Sequence, residues 1–197
     1  IGRKLDIKFD VDLAPSRATL KDVYLRWHTN PYGFLKVGNF VEPFSAENIQ
    51  STFDDHFIST SATIEALGTG RTVGISYRYY HKYFWGEGGV FSQKYNSETT
   101  KGDMGYGLSA RLLGRWGNDD FNVHVGGSLN HRRPDANGFT NGSDDYNRYV
   151  TPVSYLESNI DKTPFMGGRI DNVKNTFKYA IELMASYRQF YITGEYI

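Results

Sequence analysis

Arginine and lysine side chains recur at alternate positions of extended segments, an arrangement that could bind anions. Arg78, Arg111 and Arg115 lie in two nearby segments of this kind, and Arg71 precedes the first of them. A guanidinium group stays protonated and donates two parallel hydrogen bonds to a phosphate or carboxylate. The sequence therefore predicts an anion-binding surface, with candidate residues Arg26, Lys36, Arg71, Arg78, Arg111, Arg115 and Lys178.

Carboxylates on the same strand faces limit this chemistry to local clusters. Lys8 adds to the basic set, but that set is nearly balanced by Asp6, Asp10, Asp12, Asp22, Glu182 and Glu195. The alternating faces therefore create no overall anion field. An alternative role of the arginines is structural, in which they pair with acidic residues of segment 41–70 and hold it against a wall: Glu47, Asp54, Asp55 or Glu65.

Patterns for catalysis and for metal binding are weak. The chain has 5 histidines and no cysteine, which excludes zinc sites built on cysteine. His124 and His131 differ by an odd number of positions and so point to opposite faces of one strand. Segment 68–71, GTGR, lacks the Lys-Ser/Thr ending of a phosphate loop. We predict no catalytic residues, no metal site and no cofactor, and we do not expect an enzyme.

These basic residues must be positioned by strands, because the dominant pattern of the sequence has a period of two. In segment 5–13, LDIKFDVDL, apolar residues take the odd positions and charged residues the even ones. The same alternation recurs in segments 23–28, 73–79, 106–116 and 177–186. It is typical of a strand with one apolar and one polar face. The facing of segment 83–95 stays open, since both of its faces carry aromatic rings.

Composition and strand length favour a membrane barrel. Aromatic residues make up 16% of the chain, yet its mean hydropathy is -0.53. The alternating runs span about nine to twelve residues, which is what a tilted strand needs to cross a bilayer. Short turns alternate with long polar connections, and aromatic residues collect beside the short turns. We predict an all-β, antiparallel transmembrane β-barrel of the bacterial outer membrane; a soluble lipocalin-like barrel or sandwich is the alternative.

Charge and apolar patterning exclude other classes. Lys plus Arg number 22 and Asp plus Glu also number 22, so no net charge attracts the whole chain to nucleic acid or to anionic lipid. The basic residues are spread over alternating strand faces, and no nucleic-acid partner is predicted. No apolar run approaches the roughly 18 residues that a membrane helix needs.

Two long segments interrupt the strands. The strand that starts at Phe34 breaks at Pro43, and segment 41–70 leaves it without reaching a tight turn. Segment 132–175 is a second excursion, expected to be extracellular. Within it, NRYVTPVSYL looks like a further strand, which must pair outside the membrane unless the turn at Arg188 is extracellular. The expected total is roughly nine or ten strands.

Three segments carry a family resemblance: LKVGNFVEPFSAENIQS at 35–51, GRTVGISY at 70–77 and IELMASYRQFYITGEY at 181–196. Four features carry the match: the Gly38-x-Phe40 strand end, the Pro43-Phe44-Ser45 break with Glu47 after it, Gly70-Arg71 leading into the strand at Gly74, and the Glu195-Tyr196 pair. In content and order they resemble the phosphate- and polyphosphate-selective porin O/P family of Gram-negative outer membranes. The resemblance covers most of the chain.

The resemblance implies a trimeric barrel of about sixteen strands, in which a long loop folds into the pore and narrows it. Segment 41–70 would be this constriction loop, and an ordinary surface loop is the alternative. The implied function is passive diffusion of small hydrophilic solutes, including anions such as phosphate, with membrane lipid or lipopolysaccharide around a homotrimer. The implied constriction-loop residues are Pro43, Phe44, Ser45, Glu47, Asp54 and Asp55.

The length departs from that family. About sixteen strands with their connections need roughly 350 to 400 residues, whereas this chain has 197. We therefore expect residues 1–197 to be part of a single, larger barrel domain. An outer-membrane barrel with an enzymatic, adhesive or complex-scaffolding role is the alternative function.

Overall fold

Strands dominate the computed structural model, which describes residues 4–13, 19–50, 60–92, 104–139, 146–155 and 163–197. Two short helices, α1 (Ala46–Ile49) and α2 (Ala62–Leu67), lie between the third and fourth strands. The strands are β1 (Leu5–Asp12), β2 (Thr19–Asn30), β3 (Gly33–Val41), β4 (Arg71–Tyr80), β5 (Phe84–Phe91), β6 (Tyr106–Gly117), β7 (Phe121–Arg133), β8 (Ala136–Phe139), β9 (Tyr146–Val150), β10 (Val153–Tyr155), β11 (Pro164–Gly167), β12 (Ile170–Asp171), β13 (Thr176–Tyr187) and β14 (Phe190–Tyr196).

Within the described ranges the main sheet has 9 strands, in the order β1-β2-β3-β4-β5-β6-β7-β13-β14. Each strand pairs antiparallel with its neighbour, and the register is regular over most of the sheet. The predicted all-β, antiparallel fold is confirmed. No helix in the described part of the chain is long and apolar enough to cross a membrane.

The two faces of the sheet have opposite polarity. On β13, Ile181 is 58% exposed while the next residue, Glu182, is 1% exposed. Leu108 and Leu112 on β6 are likewise exposed, and Arg111 between them is buried. Apolar side chains thus face outward and polar side chains face inward, the arrangement of a barrel whose outside contacts lipid. A soluble sandwich or lipocalin-like barrel would bury its apolar face instead, and that alternative was wrong.

Connections differ in length at the two ends of the sheet. Short turns at 31–32, 81–83, 118–120 and 188–189 all lie at one end, because consecutive strands are antiparallel. The long connections lie at the other end. Exposed aromatic side chains gather near the short turns, among them Trp27, Tyr83, Trp116, Tyr187 and Phe190. Such a band of aromatic residues is typical of a membrane interface.

The long excursion between β7 and β13 contains strands that lie outside the main sheet. β9 pairs with β8 and β12, while β10 pairs with β11. β13 pairs directly with β7 over twelve positions, from Thr176–Arg132 to Tyr187–Phe121. The strand-like sequence within the excursion therefore does not disturb the alternation of strand directions.

The facing of β5, which the sequence left open, is set by its neighbours. Trp85, Glu87 and Phe91 lie on the inner side, whereas Phe84 and Val90 are exposed on the outer side. Glu87 pairs in register with inward positions on both β4 and β6. Because facing is continuous across a sheet, this register assigns the whole strand.

Candidate functional site

Residues 42–50 and 60–70, here called the inner loop, lie between β3 and β4, and the first of them contact the polar face of the sheet. The side chain of Phe44, near the start of the loop, is fully buried. The hydroxyl of Ser109 on β6 donates to the carbonyl of Pro43 at 3.0 Å. The backbone N–H of Ser45 donates to the hydroxyl of Ser128 on β7, also at 3.0 Å. The loop therefore contacts strands that lie three and four places away from β3 in the sheet.

The start of α1 is held by a carboxylate from β14, the strand at the far edge of the sheet. Glu195 on β14 accepts hydrogen bonds from the Ser45 hydroxyl at 3.0 Å, the Ala46 N–H at 2.9 Å and the Glu47 N–H at 3.3 Å. The Ser45 hydroxyl in turn accepts from the Asn48 N–H at 3.2 Å and so caps α1. A carboxylate beside free N–H groups at a helix start is electrostatically favourable.

The two halves of the inner loop are tied to each other. The Glu47 carboxylate accepts from the N–H and the hydroxyl of Ser61, at 2.5 and 2.7 Å. The side chain of Asn48 exchanges two hydrogen bonds with Thr69, one to its hydroxyl and one from its N–H. The predicted loop residues Pro43, Phe44, Ser45 and Glu47 thus take part in the attachment, whereas Asp54 and Asp55 lie outside the described residues.

The buried carboxylate of Glu42 anchors the start of the inner loop. Glu42 is 1% exposed and accepts from the Thr72 hydroxyl at 2.9 Å and from the Asn130 amide at 2.7 Å. Arg132 on β7 also forms an ion pair with it. A buried charge is tolerated only where it is paired and hydrogen-bonded in this way. Glu42 therefore attaches the exit of β3 to β4 and β7.

Two basic candidates, Lys36 on β3 and Arg78 on β4, share one carboxylate. Glu87 on β5 lies 2.8 Å from the ammonium of Lys36 and 2.5 Å from the guanidinium of Arg78. The Ser76 hydroxyl completes the group by donating to Glu87 at 2.7 Å. Lys36 is buried with Glu87, while the side chain of Arg78 remains 31% exposed. Only Arg78 of these two can present its charge to a solute.

Arg111 is held in a buried pair with Glu182. The guanidinium donates to both carboxylate oxygens at 2.7 and 3.1 Å, and His124 hydrogen-bonds the same carboxylate at 2.7 Å. Glu182 is on β13 and Arg111 on β6, so the pair spans β7. Gly126 on β7 makes this possible, because a Cβ there would lie 2.6 Å from a Glu182 oxygen. The ring of Trp85 lies within 5.4 Å of the Arg111 guanidinium.

The other basic candidates are dispersed. Arg71 pairs with Asp22 on β2 at 2.8 Å, and Arg26 lies 3.6 Å from Asp6 on β1. Lys178 on β13 donates to the carbonyl of Leu67 at 2.7 Å and so contacts the inner loop. Arg115 donates to a turn carbonyl near the short-turn end. The seven candidates are therefore not one continuous track.

The expected pairing of the arginines with Glu47 or Glu65 was wrong, whereas the pairing with Asp54 or Asp55 falls outside the described residues. Arg71, Arg78 and Arg111 pair with carboxylates on other strands of the sheet and not with those of the inner loop. Of the loop carboxylates, Glu47 binds Ser61 and Glu65 accepts from the backbone of β10. The loop is held instead by Glu42, by Glu195 and by serine hydroxyls of the wall.

A family model for phosphate-selective porin O and P matches residues 3–197. The chain belongs to this family. It is therefore an outer-membrane porin of Gram-negative bacteria, consistent with its apolar outer face and polar inner face. Neither the curated proteins nor the solved structures include a significant match to it.

The porin has a cavity of about 720 Å³ between the inner loop and the wall formed by β1 to β5. Both basic and acidic side chains line this cavity, and the positive charge is balanced in part by Asp10, Asp22, Glu47 and Glu87. The described residues contain no group of three or more acidic or histidine side chains that could hold a metal ion. The basic lining residues are Lys8, Lys21, Lys36, Arg71 and Arg78.

Sequence reasoning missed the residues of the porin wall that receive the inner loop. Ser109, Ser128 and Asn130 are polar and buried on inward strand positions, where each hydrogen-bonds a residue of the inner loop. Their alternation with exposed Leu108 and Leu129 was visible in the sequence. Small polar residues at inward positions were thus the available signal, but nothing local indicated which segment would cover them.

Proposed function

We propose that this porin passes small hydrophilic solutes by passive diffusion, with a preference for anions such as phosphate, and acts as a channel and not as an enzyme. The observation that carries the proposal is the path of the inner loop across the polar face. Its backbone is hydrogen-bonded to Ser128 on β7 and to Glu195 on β14. A segment attached that far from its own strands narrows the space in front of the wall.

The inner loop serves as the constriction in this proposal. Selectivity in a water-filled pore depends on the charges at its narrowest point. The cavity beside the loop is lined by more basic than acidic side chains. In this proposal the excursion between β7 and β13 is extracellular, and three copies of the chain assemble in the membrane in contact with lipid or lipopolysaccharide, as the resemblance to the porin family implies.

Arg71 and Arg78 are the candidates that contact the solute. Both line the cavity, and their side chains are 40% and 31% exposed. Lys36 and Arg111 are 9% and 6% exposed, so their charges contribute to the field of the wall without direct contact. Arg26, Arg115 and Lys178 lie outside the lining of this cavity.

The test is single-channel conductance of the full-length protein in planar bilayers, with reversal potentials in a salt gradient and titrated phosphate. We expect an anion preference and a block by phosphate that R78Q weakens about tenfold, the value of one charge-assisted hydrogen bond. Glu87 keeps Lys36 and Ser76 as partners in that variant.

The matched control is R188Q, because Arg188 lies in a short turn and its side chain is 61% exposed. We expect phosphate to block this variant as it blocks the wild type. Pores that pass cations and anions equally, or the absence of pores, would contradict the proposed function.

A further inference from the structure

We propose that Glu195 is a positioning residue that keeps the inner loop across the solute path. The inference rests on the proposed function in one respect, since it takes the loop to be the constriction. Glu195 acts through the loop and need not touch the solute. Its three hydrogen bonds all come from the segment that begins α1.

The attachment joins parts of the chain that are distant in sequence. Ser45 and Glu195 are 150 positions apart in the sequence. Ser45 follows β3 and Glu195 lies on β14, and the strands from β4 to β13 separate β3 from β14 in the sheet. One oxygen of Glu195 accepts from the Ala46 N–H, and the other accepts from the Ser45 hydroxyl and the Glu47 N–H. A single side chain thus satisfies two N–H groups that a helix start leaves without an internal partner.

Ser45 needs this support because its backbone is strained. Its φ of 63° and ψ of 148° fall in a region that residues with a Cβ rarely adopt. Such a conformation persists only where the surroundings determine it fully. Ser45 is fully buried, its N–H is bound by Ser128 and its hydroxyl by Glu195. Removing Glu195 leaves the strain in place and takes away the acceptor of the Ser45 hydroxyl.

The dependence is reciprocal. Among the described residues, no lysine or arginine forms an ion pair with Glu195, in contrast to Glu42 and Glu182. Its partners are the donors of the inner loop. When the loop leaves, the carboxylate is exposed on the inner face. Release of the loop therefore widens the path and adds a negative charge to it, and both changes reduce a preference for anions.

The first experiment measures the position of the loop without measuring transport. Ala46 is 7% exposed, and the chain has no cysteine of its own. An A46C variant therefore carries a single thiol. This thiol is buried while the loop is attached, so a maleimide reacts with it slowly. We expect E195A to increase the labelling rate of A46C by about tenfold or more, the effect of losing a hydrogen bond to a charged group.

The matched control is T193A, because Thr193 precedes Glu195 by two positions and faces the same side of β14. It should leave the labelling rate of A46C unchanged. E195Q retains an oxygen that can accept a hydrogen bond and should give an intermediate rate. Folding of each variant is checked by the heat-dependent mobility of the barrel in detergent gels, and E195Q replaces E195A if E195A fails this check.

The second experiment is conductance in planar bilayers. We expect E195A to raise single-channel conductance and to weaken phosphate block, and T193A to change neither. Equal labelling of A46C in the E195A and T193A backgrounds would overturn the positioning role, whatever the conductance. Faster labelling in E195A, in a protein that forms no selective pore, would uphold the attachment and reject the proposed function.

Discussion

Breaking the buried pair between Arg111 and Glu182 should destabilise the protein more than any change at the exposed arginine on the same strand. The two side chains are 6% and 2% exposed, and the guanidinium makes two hydrogen bonds to the carboxylate. Removing one member of such a pair typically costs about 3 to 5 kcal/mol, because the remaining charge is buried without compensation.

The magnitude for R111A should fall near the lower end of that range, about 3 kcal/mol. His124 still hydrogen-bonds Glu182 at 2.7 Å after the substitution and compensates part of its charge. The control is R115A, since Arg115 is exposed and the hydrogen bond described for its guanidinium goes to a turn carbonyl. We expect R115A to change the free energy of unfolding by less than about 0.5 kcal/mol.

The assay is urea unfolding of the full-length protein in lipid vesicles, followed by tryptophan fluorescence. Trp85 is a suitable reporter because its ring lies 5.4 Å from the Arg111 guanidinium. The double variant R111L/E182L removes both charges and should recover most of the loss, since apolar replacements of a buried pair are often neutral. The reasoning would be refuted if R111A and R115A lowered the free energy of unfolding equally. It would also be refuted if the double variant were destabilised by more than the sum of its two single changes.

Three further predictions test the backbone and the facing of the strands. G38A should cost about 1 to 3 kcal/mol, because Gly38 has a φ of +143° and a Cβ there would lie 2.6 Å from the Cα of Tyr24; G194A, with open space around it, is the control in the same unfolding assay. S45G should be more stable than S45A by about 1 to 3 kcal/mol, since both lose the hydroxyl and only glycine relieves the strain; equal stabilities would exclude strain at this position. I181R should impair assembly into vesicles by about 2 to 4 kcal/mol, whereas I181L should assemble normally, because Ile181 lies on the outer face.

Strand facing could be predicted from sequence because it is a local property. Successive side chains point to opposite faces, so the alternation around Ile181 and Glu182 assigns both residues without any knowledge of their neighbours. On β5 the same reasoning failed, because Phe84 and Trp85 are both aromatic and each suits either face. There the register of Glu87 with β4 and β6 decided the facing.

The chemistry of the basic residues was visible in the sequence, but the partners that neutralise them were not. Arg111 and Glu182 are 71 positions apart. They meet because β13 follows β7 in the sheet and because Gly126 leaves room for the carboxylate to cross between them. Both conditions depend on the order and register of strands, which no local pattern specifies.

The inner loop shows the same division. Pro43 and the polar residues after it marked the point where β3 ends, since proline cannot continue a hydrogen-bonded strand. Where the chain went next depended on hydroxyls, amides and carboxylates of β6, β7 and β14, which become neighbours only when the sheet has formed. Alternation and strand ends were determined locally, whereas Glu42 and Glu195 became anchors of the loop through contacts between distant parts of the chain.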